Sequence, residues 1–200
     1  MQSFAKKIGT THYYSEKGTH KIATVLELLE TIACGTKSEE KDGYTAHIYA
    51  LTTTKGSKSK SLAGQFKKVE NIKKLKEEKI ESSNEGFEIG KAVKASDFSE
   101  GDSITIYGIS KGKGFAGTVK RHSFNTGPKT HGSHNYRQPG SIGDTGPQHV
   151  VKGKKMAGHM GSTNAKIKGV KIAKVDEKRN TIWVNSPVPG PNKSLILIQK

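Results

Sequence analysis

Only one cysteine, Cys34, occurs in 200 residues, so no disulfide can form within the chain, which suits a reducing compartment. Cys34 ends the apolar stretch that starts at Val25, and a small buried side chain is expected there rather than a reactive thiol. Apolar residues are scarce too, at 32%. That supports one core of modest size and leaves part of the chain outside it. No run approaches the roughly 20 apolar residues that span a bilayer, and Met1 to Tyr14 lacks the apolar stretch of a signal peptide. No membrane partner is expected.

Acidic residues are the most telling shortage. There are 18 Asp and Glu against 34 Lys and Arg, a formal net charge of +16. A charge of this size repels itself in a compact fold and calls for a polyanionic partner, nucleic acid first.

What is present reads mainly as β. Ser3 to Ile8 alternates in part, and Ser15-Glu16-Lys17-Gly18 is a turn signal before Thr19 to Leu29. After the turn Lys41-Asp42-Gly43, residues Ala46, Ile48 and Ala50 alternate with Thr45, His47 and Tyr49, the period of a half-buried strand. Ile104 and Ile106 share one face of Asp102 to Tyr107. Ile167, Val170, Ile172 and Val175 recur in Lys166 to Val175, and Thr181 to Val184 and Leu195 to Ile198 are short apolar runs. Several short strands with turns between them predict a closed or nearly closed barrel. Between Lys55 and about residue 85 the composition shifts. Lys55 to Ser61 reads as a loop, and Phe66, Val69, Ile72 and Leu75 sit three apart in Leu62 to Ile80, which predicts a small helical insertion.

Residues 111–161 break the pattern. They hold nine Lys or Arg and a single acid, Asp144, which is +8 in 51 residues, together with eleven glycines and five of the eight histidines. Their apolar residues follow no period, so burial within the chain cannot offset an ordering cost of about 1–2 kcal/mol per residue. A partner must fold such a segment, and its composition fits RNA. Lys and Arg neutralise phosphates, and glycine admits close backbone approach. Imidazoles, arginines and Tyr136 can stack on unpaired bases. The candidate contacts with cationic side chains are Lys111, Lys113, Lys120, Arg121, Lys129, Arg137, Lys152, Lys154 and Lys155. Phe115, His122, His131, His134, Tyr136 and His159 accompany them.

Two motifs invite other readings. Gly112-Lys113-Gly114-Phe115-Ala116-Gly117 matches the glycine pattern of a dinucleotide site, which would make the chain a nucleotide-dependent oxidoreductase. That site needs a helix opened by the turn and an acid about 20 residues on. Here Gly127-Pro128 comes within ten residues of the last glycine and no acid occurs before Asp144. His131 and His134 form an H-x-x-H pair, but the one cysteine is remote and Asp144 is the only nearby carboxylate, so no metal site and no cofactor is expected. Without a rigid nucleophile or acid–base pair, the expectation is a binding protein and not an enzyme.

The same segment resembles a known family. Ser110-Lys111-Gly112-Lys113-Gly114-Phe115-Ala116-Gly117-Thr118-Val119-Lys120-Arg121 is similar to the signature of the universal large-subunit ribosomal protein L-three family. So are Thr130-His131-Gly132-Ser133-His134, Arg137-Gln138-Pro139-Gly140-Ser141-Ile142-Gly143 and the run from Lys152 to Gly161. Weaker matches at Lys7 to Thr10, Ala63 to Lys68, Val175 to Asn180 and Val188-Pro189-Gly190 extend the likeness over nearly the whole chain. The resemblance implies a six-stranded, translation-protein-like closed barrel built from residues 1–110 and 162–200, with residues 111–161 inserted as a long irregular arm that threads into large-subunit rRNA. It implies neighbouring large-subunit proteins as further partners and a role early in subunit assembly. Asp144, Thr145, Gly146, Pro147, Gln148 and His149 would form the arm tip nearest the peptidyl transferase centre. The implied location is the cytoplasmic ribosome of a bacterium, or an organellar ribosome. A free RNA chaperone has the same composition, and only the resemblance separates the two.

Overall fold

A computed structural model describes residues 1–15, 18–53, 60–66, 69, 71–80 and 88–200. In chain order the elements are β1 (Gln2–Tyr14), β2 (His20–Leu28), β3 (Thr31–Lys37), α1 (Glu39–Asp42), β4 (Ala46–Thr52), α2 (Lys60–Gln65), β5 (Ile72–Lys79) and β6 (Ala92–Val93). A 3₁₀ turn (Ala95–Asp97) precedes β7 (Ser103–Ile109). Then come β8 (Phe115–Ala116), α3 (Thr118–His122), β9 (Gly158–His159), β10 (Asn164–Asp176), β11 (Thr181–Val184) and β12 (Leu195–Gln199). The fold is mainly β, as the alternating runs predict.

The chain divides into two compact units, Met1–Ile109 with Asn164–Lys200, and Ser110–Thr163. In the first unit six antiparallel strands pair in the order β1-β12-β7-β10-β11-β2, and β2 pairs back onto β1, closing a barrel. Alternation explains its filling. Leu26 and Leu28, Ile104 and Ile106, Val170 and Ile172, Ile182 and Val184, and Ile196 and Ile198 form one core cluster, each residue from the same face of its strand as its fellow. The opposite faces of β1 and β12 bring Phe4 and Leu197 against Leu51 of β4.

Strand β4 belongs to a second antiparallel sheet, ordered β5-β4-β3-β6. Every residue of Ala46–Thr52 is buried, so this strand is covered on both faces rather than on one. Strand β3 hides in the sequence because Ala33, Cys34 and Gly35 carry small side chains. The Lys41-Asp42-Gly43 turn is the end of α1, closed by Gly43 in the left-handed region at φ 74°.

The helical insertion expected at 55–85 needs correction. One short helix, α2, is present, but Ile72–Lys79 is a strand that pairs with β4 from Thr52↔Ile72 to Ala46↔Lys79. The expected loop at Lys55 to Ser61 lies mostly outside the described residues. The three-residue apolar stripe did locate a core: Phe66, Val69 and Ile72 are buried with Cys34, Ile48 and Ala50, and Leu75 packs beside them. Lys and Glu favour helix in isolation, but the open edge of β4 offers a full ladder of hydrogen bonds, and tertiary context overrides so weak a preference.

Candidate nucleic-acid interface

The second unit, Ser110–Thr163, opens with a two-strand neck. The Ser110 amide donates to the Thr163 carbonyl at 2.9 Å, and the Thr163 amide donates to Ser110 Oγ at 3.2 Å. Further along, the Lys113 amide donates to Met160 O and the Met160 amide to Gly114 O, both at 2.9 Å, before β8 pairs with β9 at Phe115↔His159. Gly161 makes the close approach possible: its φ is +76°, and a Cβ there would lie 2.1 Å from the Lys111 carbonyl oxygen. The glycine-rich stretch is therefore a paired neck. A five-residue helix does follow Gly117, but it is one short turn, and β8 meets β9 antiparallel, so no strand–helix–strand nucleotide fold is built.

Helix α3 carries Lys120, Arg121 and His122 in its last turn, where cations suit the helix dipole. Arg121 Nη1 donates to the Met156 carbonyl at 2.8 Å, and His122 Nε2 lies 3.0 Å from the same oxygen. These two candidate contacts thus meet at Met156 and tie the segment's two ends together. Next, the Gly127 amide donates to Tyr136 O at 2.9 Å, a crossing that a Cβ at Gly127, 2.3 Å from Asn135 O, would block. Lys129 Nζ sits 5.3 Å from the Tyr136 ring centroid, within cation–π range. Beyond, residues 139–155 are exposed, and among the described residues they make only local bonds, such as Thr145 N to Asp144 Oδ1 at 2.8 Å.

Across residues 111–161 only Ala116 and Thr118 are buried. All nine Lys and Arg are exposed, as are His131, His134, His159 and the stretch Asp144 to His149, while His122 and Tyr136 are half-buried. Phe115 is 80% exposed beside Lys113. The ion pairs among the described residues are Met1–Glu78, Lys6–Glu27, Lys37–Glu77 and Lys200–Asp102, and all of them lie in the first unit. The cations of the second unit therefore face water without an acidic partner among the described residues. Among those residues, no group of three or more His, Cys, Asp or Glu is placed to hold a metal ion.

A group of rings on β1 and β2 escaped the sequence reading: His12, Tyr14 and His20 lie within 6.3 Å of one another, centroid to centroid. The period-2 spacing of His12 and Tyr14 is the signal that could have found it.

A β body that bears an unneutralised, glycine-rich cationic segment has the make-up of a ribonucleoprotein component. The family model of ribosomal protein L3 matches residues 3–186. The large ribosomal subunit protein uL3 of Pelotomaculum thermopropionicum is 37% identical over 98% of this chain and 94% of its own length. That of Alkaliphilus metalliredigens is 38% identical over 97% of this chain and 94% of its own. The protein of the same name from Mycoplasmopsis agalactiae is 40% identical over 98% of this chain and 74% of its own length. The chain belongs to the ribosomal protein L3 family, structural components of the ribosome and not enzymes.

Proposed function

We propose that this protein is a structural constituent of the large ribosomal subunit that binds large-subunit rRNA and acts early in subunit assembly. The barrel, of the translation-protein type, is the body that seats on rRNA and neighbouring large-subunit proteins. Residues 111–161 are the arm that enters folded RNA, and Asp144 to His149 form its tip, near the peptidyl transferase centre. One observation carries this reading: nine exposed cations stand without acidic partners among the described residues, in a segment that buries only Ala116 and Thr118. Such a segment gains little from its own packing, and charge neutralisation by phosphate supplies what packing does not. The cations act mostly on phosphates, which fixes position and register rather than reading sequence. The paired neck and the tie of Arg121 to Met156 preset the segment's base, which lowers the ordering cost on binding.

Sedimentation of cell extract in high salt tests this. The expected result is retention of the chain in the large-subunit peak, because high salt strips proteins held by phosphate contacts alone. Movement to the top of the gradient would overturn the reading and favour a transient RNA chaperone. Arg137→Ala is expected to impair subunit assembly or peptidyl transfer, and unchanged subunit profiles with unchanged translation rates would count against the arm.

A further inference from the structure

Strands β1 and β2 outrun the barrel. β12 pairs β1 only from Gln2 to Lys6, and β11 pairs β2 only from Thr24 to Glu27. From Thr10↔Thr24 to Tyr14↔His20 the strand β1 has β2 as its only strand partner among the described residues, so the far half of the hairpin is a two-stranded ribbon. Alternation sorts its side chains. Tyr13 lies on the face that meets β11, where its ring stands edge-on to Trp183 at 6.5 Å and its hydroxyl donates to Asn185 Oδ1 at 2.7 Å. That face anchors the ribbon. The other face must then carry His12 with its cross-strand neighbour Ile22, and Tyr14 with His20.

This second face meets no core. Tyr14 is 68% and Ile22 67% exposed, and both histidines are exposed. The rings sit close together: His12 to His20 at 5.3 Å and 33°, Tyr14 to His20 at 5.6 Å and 66°. Flat rings beside an aliphatic side chain, held on a two-stranded ribbon and open to solvent, form a stacking surface. The chain as a whole carries a net charge of +16, which favours a polyanionic strand as the occupant.

We propose that the His12–Tyr14–His20 face, with Ile22, is a second RNA contact that stacks unpaired bases of an RNA strand. This rests on the reading of the chain as an rRNA-binding protein and adds a stacking face on the β1–β2 ribbon to an arm whose cations act mostly on phosphates. Imidazole and phenol rings accept any base through its π-face.

The test compares full-length protein binding to two probes of equal length and charge, a single-stranded RNA oligonucleotide and the same sugar-phosphate chain without bases. Wild type is expected to bind the base-bearing probe about tenfold more tightly or better. The triple variant His12→Ala, Tyr14→Ala, His20→Ala is expected to lose that preference while its affinity for the abasic probe stays unchanged. Tyr14→Phe keeps the ring and the preference, and Tyr14→Ala loses part of it. That pair decides the matter if the triple variant does not fold. Equal binding of both probes by wild type, or an undiminished preference in the triple variant or in Tyr14→Ala, overturns the stacking face. Failure of the underlying RNA-binding reading looks different: neither probe is bound. An equal loss for both probes in Tyr14→Ala would mark a structural role for the rings and also overturn the proposal.

Discussion

Lys7 is the sharpest test of how the barrel is held. It lies on β1 and is 8% exposed, and its Nζ donates to the Val188 carbonyl at 2.7 Å and the Gly190 carbonyl at 3.0 Å. The backbone on either side repeats the link: the Lys7 amide donates to Ser194 O at 3.0 Å, and the Lys193 amide donates to Lys7 O at 2.7 Å. The ammonium therefore ties the loop between β11 and β12 to the first strand. In Lys7→Met the stem still packs, but both carbonyls lose a charged donor. Charge-assisted bonds contribute about 1.5–3 kcal/mol each. Relief of the ammonium's own desolvation returns part of that, which leaves a net loss of about 2–4 kcal/mol. For a domain of this size each kcal/mol moves the melting temperature by about 2–4 °C, so a fall of roughly 5–15 °C is expected. Thermal melts of wild type and Lys7→Met, followed by circular dichroism at pH 7, measure it. A change of under about 2 °C would refute the reasoning and place the loop's stability in its backbone bonds alone.

Lys152→Ala, Lys154→Ala and Lys155→Ala combined should lower the slope of log affinity for RNA against log salt by about 2, as three phosphate contacts predict; an unchanged slope would remove them from the interface. Gly161→Ala must strain a φ of +76° and drive a Cβ into the Lys111 carbonyl, so amide exchange at Lys113 and Met160 should accelerate by an order of magnitude or more, and unchanged protection would contradict the neck geometry. Burial, helped by Glu78, pushes the Tyr49 hydroxyl up to about 12 from 10.0. Folding stability from this group is full below pH 10 and is lost as pH rises towards 12, so Tyr49→Phe should flatten the alkaline fall in melting temperature, whereas parallel curves would exclude it. At the acid end, hydrogen bonds from Tyr44 at 2.7 Å and from Lys37 hold the Glu77 carboxyl below its usual range. Its contribution is present above the unfolded value of 4.5 and fades as pH falls, so Glu77→Gln should show a weaker acid dependence than wild type.

Much of the fold was legible in the chain because strand period and burial coincide in a barrel. Ile104 and Ile106, Ile182 and Val184, and Ile196 and Ile198 each announce an inward face by simple alternation, and each is buried where alternation puts it. The cationic segment was legible for a similar reason, since its charge and glycine content are properties of composition and need no geometry. Where two local signals conflicted, the sequence misled. Ile72 to Lys79 carries residues that favour helix at helical spacing, yet it forms a strand on the edge of β4. Strand β3 was invisible because Ala33, Cys34 and Gly35 give no alternation to see.

Other features depended on distance in three dimensions. The tie of Arg121 and His122 to Met156 joins residues 35 and 34 apart in the chain, and no spacing rule points to it. Nor could the sequence tell which face of the β1–β2 ribbon is free, since Tyr13 and Tyr14 are adjacent tyrosines; Trp183, on a distant strand, claims one and leaves the other in water. Charge, family motifs and the alternation that makes strands can be read straight from the chain, because single residues and their near neighbours carry them. Which strands close the barrel, which edge captures Ile72–Lys79 and which rings face solvent emerge only on folding, because each of these is a competition between partners far apart in the chain, settled by packing and hydrogen-bond satisfaction rather than by local preference.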